Sequence, residues 1–344
     1  MRRLLLALLL ALLSAGPRAE NYAQRDDVRV FVMEMQERHG FDADVLDALF
    51  RRTRPIAAVI KAIMPPKDPG VRSWAAYRAR FVEPKRIAAG QRFMQLHAAE
   101  LAAAEARFGV PVEIIAAIIG VETIYGKHMG RFGTFAALTT LAFDYPPRAA
   151  LFRRELEELL LLAREEHRDP LAYTGSYAGA LGLPQFLPSS RRRHAIDFDD
   201  DGRIDLTASH ADAIGSVANF LAAHGWEKDA PMAVTVIVGG DGVQPLIDEG
   251  IAPRRTPREM ALANVSFSRV MSPAAPGRVS LADGAGDTAL PERPAALIDL
   301  VTPNAATEYR LGYRNFHVIT RYNRSSFYAA AVMDLAAALL ASKQ

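Results

Sequence analysis

Ile114-Ile115-Ala116-Ala117-Ile118-Ile119-Gly120-Val121-Glu122-Thr123-Ile124-Tyr125-Gly126 is an apolar run that ends on a carboxylate. Pro111 stands where a helix can open, because its missing N–H is one of the unbonded donors of a first turn. From there residues 114, 118 and 122 stack on one face, and 115, 119 and 122 follow the same helical spacing. Glu122 therefore continues a row of isoleucines. An ionised carboxylate is expensive to bury without a partner, so it meets a cation or backbone amides, or it stays protonated with a raised pKa. A carboxylic acid that is neutral near pH 7 can serve as a general acid. The spacing alone leaves a structural and a catalytic reading of Glu122 open.

The chain of 344 residues is long enough for two or three domains with a large core. Arg2-Arg3, the apolar stretch Leu4 to Leu13 and the small residues around Ser14-Ala15-Gly16-Pro17-Arg18-Ala19 read as a secretory signal over 1–19. The apolar stretch is too short to span a bilayer. Cleavage after Ala19 or Ala15 predicts an exported, periplasmic protein with no stable membrane anchor. There are no cysteines, which excludes disulfides and a lipidated cysteine. The 41 basic residues, three of them in this leader, balance 39 acidic ones, and no patch points to nucleic acid. Arg191-Arg192-Arg193-His194 reads as a solvated face beside an acidic loop.

Helical patterns dominate from Gln24 to Arg107, with short amphipathic stretches such as Val45 to Arg51 and Ile87 to Phe108, and a proline-rich connector at 64–69. Further helices are expected after Pro111, over Arg148 to Arg168, over Asp212 to His224 and over Tyr328 to Leu340. Between Tyr173 and Ser190, Gly175, Gly179, Gly182, Pro184 and Pro188 mark a loop whose backbone must approach something closely. Beyond Trp226 the period changes to that of strands, at 233–238, 296–301, 309–313 and 316–322, with a loosely structured stretch at 266–294. The resulting division is a leader (1–19), an N-terminal α domain (20–110), a core (111–228), a small β domain (229–312) and a C-terminal motif with a helix (313–344) that packs back on the helical body.

Asp197-Phe198-Asp199-Asp200-Asp201-Gly202-Arg203-Ile204-Asp205 has acids at positions 1, 3 and 5 and glycine at 6, which is the start of an EF-hand-like Ca²⁺ loop. Asp197, Asp199 and Asp201 would ligate through carboxylates and Arg203 through its main-chain carbonyl. Position 12 is Ala208 instead of the usual glutamate. Asp212, at the head of the following helix, is the nearest acid that can close the site, which makes a longer loop spanning 197–212. The metal is expected to be structural. Aromatic and amide side chains suited to sugars also recur, at Trp74, Tyr77, Tyr125, Tyr145, Tyr177, Gln185, Phe186, Tyr322, Asn323 and Tyr328.

Taken together, Gly120-Val-Glu-Thr-Ile-Tyr-Gly126, the loop Gly175 to Ser190, the acidic loop, Asp212 to Asn219 with His224-Gly-Trp226, and Asn315-Phe316 through Ile319-Thr-Arg-Tyr-Asn-Arg-Ser325 resemble the lytic murein transglycosylase B family. The resemblance runs from about residue 24 to the C-terminus. It implies an α+β, mainly α fold, with a lysozyme-like helical core carrying the Ca²⁺ loop, an additional α-helical domain and a small inserted β domain. It also implies that Glu122 is the single catalytic acid. Ser176, Gln185 and Phe186 would line the cleft, Tyr322, Asn323 and Tyr328 would contact the sugar near the reacting centre, Tyr77 would be a cleft tyrosine, and Arg148 would touch the peptide stem. Two sites depart from some relatives: Pro147-Arg148 stands where they have two arginines, and Leu183-Pro184-Gln185 where they have Tyr-Gly-Gln.

The implied reaction cleaves the β-1,4 bond between N-acetylmuramic acid and N-acetylglucosamine in peptidoglycan without water, leaving 1,6-anhydromuramoyl ends. Glycan strands are the implied partner, with murein synthesis or hydrolysis complexes as candidate protein partners. Two rivals remain at this stage. A hydrolytic muramidase needs a second carboxylate, for which Asp144 is the candidate, although Pro146-Pro147 favours a turn or cap role for it. A non-catalytic wall-binding scaffold needs no desolvated acid.

Overall fold

The computed structural model describes residues 21–65, 72–269 and 290–341. The leader and most of the 64–69 connector lie outside these residues. Helices α1 (Asp26–His39), α2 (Ala43–Arg52) and α3 (Ala57–Ile63) open the described chain. They share one apolar cluster with α8 (Thr134–Asp144) and α9 (Ala149–Glu165), centred on Phe31, Phe50, Phe135 and Phe152. Asp42 starts α2 by accepting hydrogen bonds from the Asp44 and Val45 amides.

A second cluster gathers α4 (Trp74–Phe81), α5 (Pro84–Leu96), α6 (Ala98–Phe108), α7 (Val112–Thr123), α11 (His210–Ala223), α14 (Arg314–Ile319) and α15 (Ser326–Ala341). Helix α7 is its axis. Ile114, Ile115, Ile118 and Ile119 are all fully buried, so this helix is wrapped on every side and does not present one apolar stripe. The amphipathic stretch from Ile87 to Phe108 holds two helices, because the chain leaves helical geometry at His97 (φ −115°, ψ 33°), which separates α5 from α6.

The strands beyond Trp226 form a four-stranded antiparallel sheet in the order β4-β3-β6-β5, from β3 (Ala233–Gly239), β4 (Ser266–Arg269), β5 (Ala296–Leu300) and β6 (Glu308–Gly312). The two-residue strands β1 (Phe132–Gly133) and β2 (Thr174–Gly175) pair separately. Period-2 alternation sends Val234, Val236, Leu297 and Leu311 toward α12 (Val243–Asp248) and α13 (Pro257–Leu262). Ala296, Ile298 and Leu300 on the other face join the cluster around α7 and α15. The sheet is thereby fastened to the helical body, and the Trp74 amide bonds to Val301 O at 2.7 Å.

Three expectations need correction. Residues 266–269, read as loose, form β4, which pairs with Val236 to Gly239 of β3. The helices α12 and α13 interrupt the strand pattern. The segment 316–322 is not a strand: α14 covers Arg314–Ile319 and turns follow it. The alternating Phe316 and Val318 suit either form over so short a run. Asn315 decides the matter, since its side chain bonds Glu227 N, Glu227 O and Ala230 O and anchors the helix start where the sheet ends.

Candidate active site

Glu122 lies on the last turn of α7. The residue as a whole is half-buried, its carboxyl is enclosed, and burial pushes its pKa from 4.5 up to about 7. The Tyr328 hydroxyl donates to Oε1 at 2.7 Å and pulls in the opposite direction, since a donor favours the carboxylate. Tyr328 comes from α15, 206 positions along the chain. Its ring stacks on Tyr322 with centroids 6.3 Å apart and planes at 13°. Tyr322 in turn donates to Pro184 O at 2.8 Å, which ties the C-terminal motif to the glycine-rich loop. The hydroxyls of Tyr77, Tyr322 and Tyr328 are all pushed above their ordinary pKa, first by burial and then by the Glu122 charge. Three neutral tyrosines thus surround one acid.

The glycine-rich loop is held from both sides. Thr123 Oγ1 lies 3.0 Å from Leu183 O and accepts from Gly126 N, so the residue after the acid fastens α7 to the loop. Leu183 N donates to Leu206 O, and a Cβ on Gly182 would fall 2.3 Å from that same carbonyl, which excludes any side chain there. Gln185 adopts φ 51° and its amide donates to Met129 O and Gly182 O. Half-buried Ser176 accepts from Ala180 N with its hydroxyl oxygen.

Not every predicted residue belongs to this constellation. Phe186 is 2% exposed and packs behind Tyr322 at 5.8 Å, so it supports the tyrosine platform and does not touch a ligand. Tyr328 is also 2% exposed and spends its hydroxyl on Glu122, which makes it a holder of the acid and not a sugar contact. Asn323 is exposed in the turn before α15. Arg148 is exposed in the short 3-10 turn between α8 and α9, 5.3 Å over the Phe152 ring on the other apolar cluster. Sequence reasoning overlooked Thr123 and Phe327. The latter packs Tyr77 at 5.6 Å and Trp74 at 5.4 Å, and its position beside Tyr328 at the start of α15 was the only signal.

Asp144 is engaged elsewhere. It accepts from Tyr22 and pairs with Arg25, inside the cluster of α1, α2 and α8. That arrangement is an anchor for the N-terminal segment, and it leaves no free carboxylate there for a second catalytic role.

On the acidic loop, carboxylate oxygens of Asp197, Asp199 and Asp212 all lie within 4.8 Å of one another. Asp212 is fully buried and accepts from Phe198 N and Asp205 N, both at 2.7 Å, which draws the helix α11 acid into the loop. Burial, with the neighbouring acids adding to it, raises its carboxyl. Such an all-oxygen donor set fits a hard cation. The expected ligand Asp201 is not in this group: its carboxylate accepts from Arg203 N instead.

A mainly helical body with small sheets, and an enclosed acid on the central helix, define a lysozyme-like glycan-cleaving protein. Residues 23–337 match the family model described as Transglycosylase SLT domain, and the chain belongs to that family. It is 35% identical over 328 residues to the membrane-bound lytic murein transglycosylase B of Escherichia coli (strain K12), covering 93% of this chain and 84% of that protein. The crystal structure of the soluble lytic transglycosylase SltB1 from Pseudomonas aeruginosa superposes with a TM-score of 0.79 at 38% identity, over 94% of this chain and 99% of that one. The Escherichia coli lytic transglycosylase Slt35 in complex with calcium gives a TM-score of 0.74 at 35% identity, covering 94% and 93%.

Proposed function

We propose that Glu122 carries both proton transfers of the reaction, first as acid and then as base. The protein is a lytic transglycosylase that cleaves peptidoglycan without hydrolysis. Protonated Glu122 delivers its proton to the glycosidic oxygen as the bond from that oxygen to C1 breaks. The acetamido oxygen of the same sugar stabilises the oxocarbenium-like centre in place of an enzyme carboxylate. Glu122, now ionised, takes the proton of the C6 hydroxyl while O6 bonds to C1, which closes the 1,6-anhydro ring and returns the acid to its starting state. Because O6 belongs to the reacting ring, its effective molarity is on the order of 10⁵ M or more, and water need not compete.

The observation that carries this reading is a carboxyl poised at about 7 by burial, under a tyrosine that also stabilises its ionised form. An acid with pKa near the working pH suits both halves of the cycle. We assign Tyr77, Ser176, Gln185, Tyr322 and Asn323 to glycan binding and Arg148 to the peptide stem. The lysozyme-like core is assigned to 111–228, with the α domain (20–110) and β domain (229–312) as its flanks. Asp197, Asp199 and Asp212 would hold Ca²⁺, whose charge offsets the repulsion among the loop acids and takes no part in bond cleavage. We assign the enzyme to the periplasm on its family membership; among the described residues no helix is long and apolar enough to cross a membrane.

The test is mass spectrometry of digested sacculi, with wild type beside Glu122→Gln. Anhydromuropeptides from the wild type and none from the variant are expected. Reducing ends without anhydro products would overturn the reading.

A further inference from the structure

Beyond the acid itself, the backbone that follows it is unusual. Ile124, Tyr125 and Gly126 have φ of 52°, 55° and 88° in succession, and only the last is a glycine. Side chains disfavour this left-handed region, β-branched ones most of all, so surrounding structure must enforce it. Thr123 supplies one restraint through the loop contacts described above. The Tyr125 ring supplies another. It enters between α5 and α7 at a slot made of two glycines: a Cβ on Gly90 would fall 2.1 Å from the Tyr125 hydroxyl oxygen, and one on Gly120 would fall 2.4 Å from it. Phe93 of α5 borders the ring, with centroids 5.2 Å apart.

The hydroxyl in that slot makes no hydrogen bond among the described residues although it is buried, and the Nε and Nη1 groups of neighbouring Arg86 donate to nothing either. The ring therefore matters here for its shape. By residue type Tyr125 suits a sugar contact, and the structure turns it inward, away from that role.

We propose that Tyr125 is a positioning residue for the transglycosylase reaction: its ring, seated between Gly90 and Gly120, holds the left-handed turn after α7 and thereby aims Glu122 at Tyr328 and the scissile bond. The inference rests on the reading of Glu122 as the acid. A misplacement of about 1 Å at a reacting group can lower a rate by roughly 100-fold, so a wedge that never meets substrate can still govern turnover.

The experiment measures kcat and KM on soluble uncrosslinked glycan strands for Tyr125→Phe, Tyr125→Asn, Gly120→Ala and Glu122→Gln in the full chain, with circular dichroism as the check on folding. Tyr125→Phe keeps the ring and loses only an unpaired hydroxyl, so kcat should stay within about twofold and the melting temperature should not fall. Tyr125→Asn tolerates the left-handed backbone but removes the wedge, so kcat should fall about tenfold or more with KM within about twofold. Gly120→Ala narrows the slot and should act like Tyr125→Asn. Wild-type kcat in Tyr125→Asn would overturn the proposal, as would Tyr125→Phe losing as much as Tyr125→Asn, or losses confined to KM. If Tyr125→Asn fails to fold, the Phe and Gly120 variants still decide. Retained lysis in Glu122→Gln would instead refute the assignment of the acid, whatever the Tyr125 variants do.

Discussion

Glu122→Gln should raise the stability of the fold above neutral pH and leave it nearly unchanged near pH 4. The Glu122 carboxyl moves from 4.5 to about 7 on folding, with burial as the main cause. Over that interval the folded protein keeps a proton that the unfolded chain has released. Stability therefore falls as pH rises from about 4.5 to about 7, and the deficit stays in full at higher pH. At about 1.4 kcal/mol for each tenfold change in proton affinity, the interval is worth about 3 kcal/mol. The residue is only half-buried and solvent around it screens part of this, so about 1–3 kcal/mol is expected. Glutamine carries no charge at any pH and keeps an oxygen that can accept from the Tyr328 hydroxyl, now 2.7 Å from Oε1. The assay is urea unfolding of both proteins near pH 4 and near pH 8, where a shift in midpoint at constant slope reports stability. An equal difference at the two pH values, or a less stable glutamine variant near pH 8, would refute the argument that burial of this carboxyl strains the active enzyme.

In pH profiles, kcat/KM should decline above about 7 as the acid loses its proton. Tyr328→Phe removes a donor that favours the carboxylate, so that limb should move to higher pH while kcat drops, and a shift to lower pH would contradict the hydrogen-bond assignment. Asp144→Asn breaks the contacts with Arg25 and Tyr22 and should destabilise by about 1–3 kcal/mol while anhydro products persist. Loss of lysis in that variant with its fold intact would restore the two-carboxylate mechanism. EDTA should lower the melting temperature and Ca²⁺ restore it, with the response abolished in Asp212→Asn; a transition indifferent to Ca²⁺ would refute cation binding by the acidic loop.

Legibility in the sequence followed the range of the interactions involved. Glu122 stood out because helical spacing is local and a carboxylate on an isoleucine row is chemically conspicuous. The acidic loop was legible for the same reason, apart from Asp201, whose carboxylate turned to the Arg203 amide. Where two local forms lay close in energy the reading failed. Phe316 and Val318 alternate as in a strand, but Asn315 reaches back to Glu227 and Ala230 and starts a helix. Phe186 and Tyr125 look like sugar platforms in isolation, and packing turned one behind Tyr322 and the other into a glycine slot.

The sequence by itself determined the helix that ends in an acid, the glycine-rich and acidic loops, and the family motifs, since all of these are patterns of neighbours along the chain. Tertiary structure decided the state of that acid. The burial that raises Glu122, the hydroxyl of Tyr328 that moderates it and the removal of Asp144 into a pair with Arg25 each join residues more than a hundred positions apart. A protonation state depends on the whole environment of a group, and that environment exists only once the chain has folded.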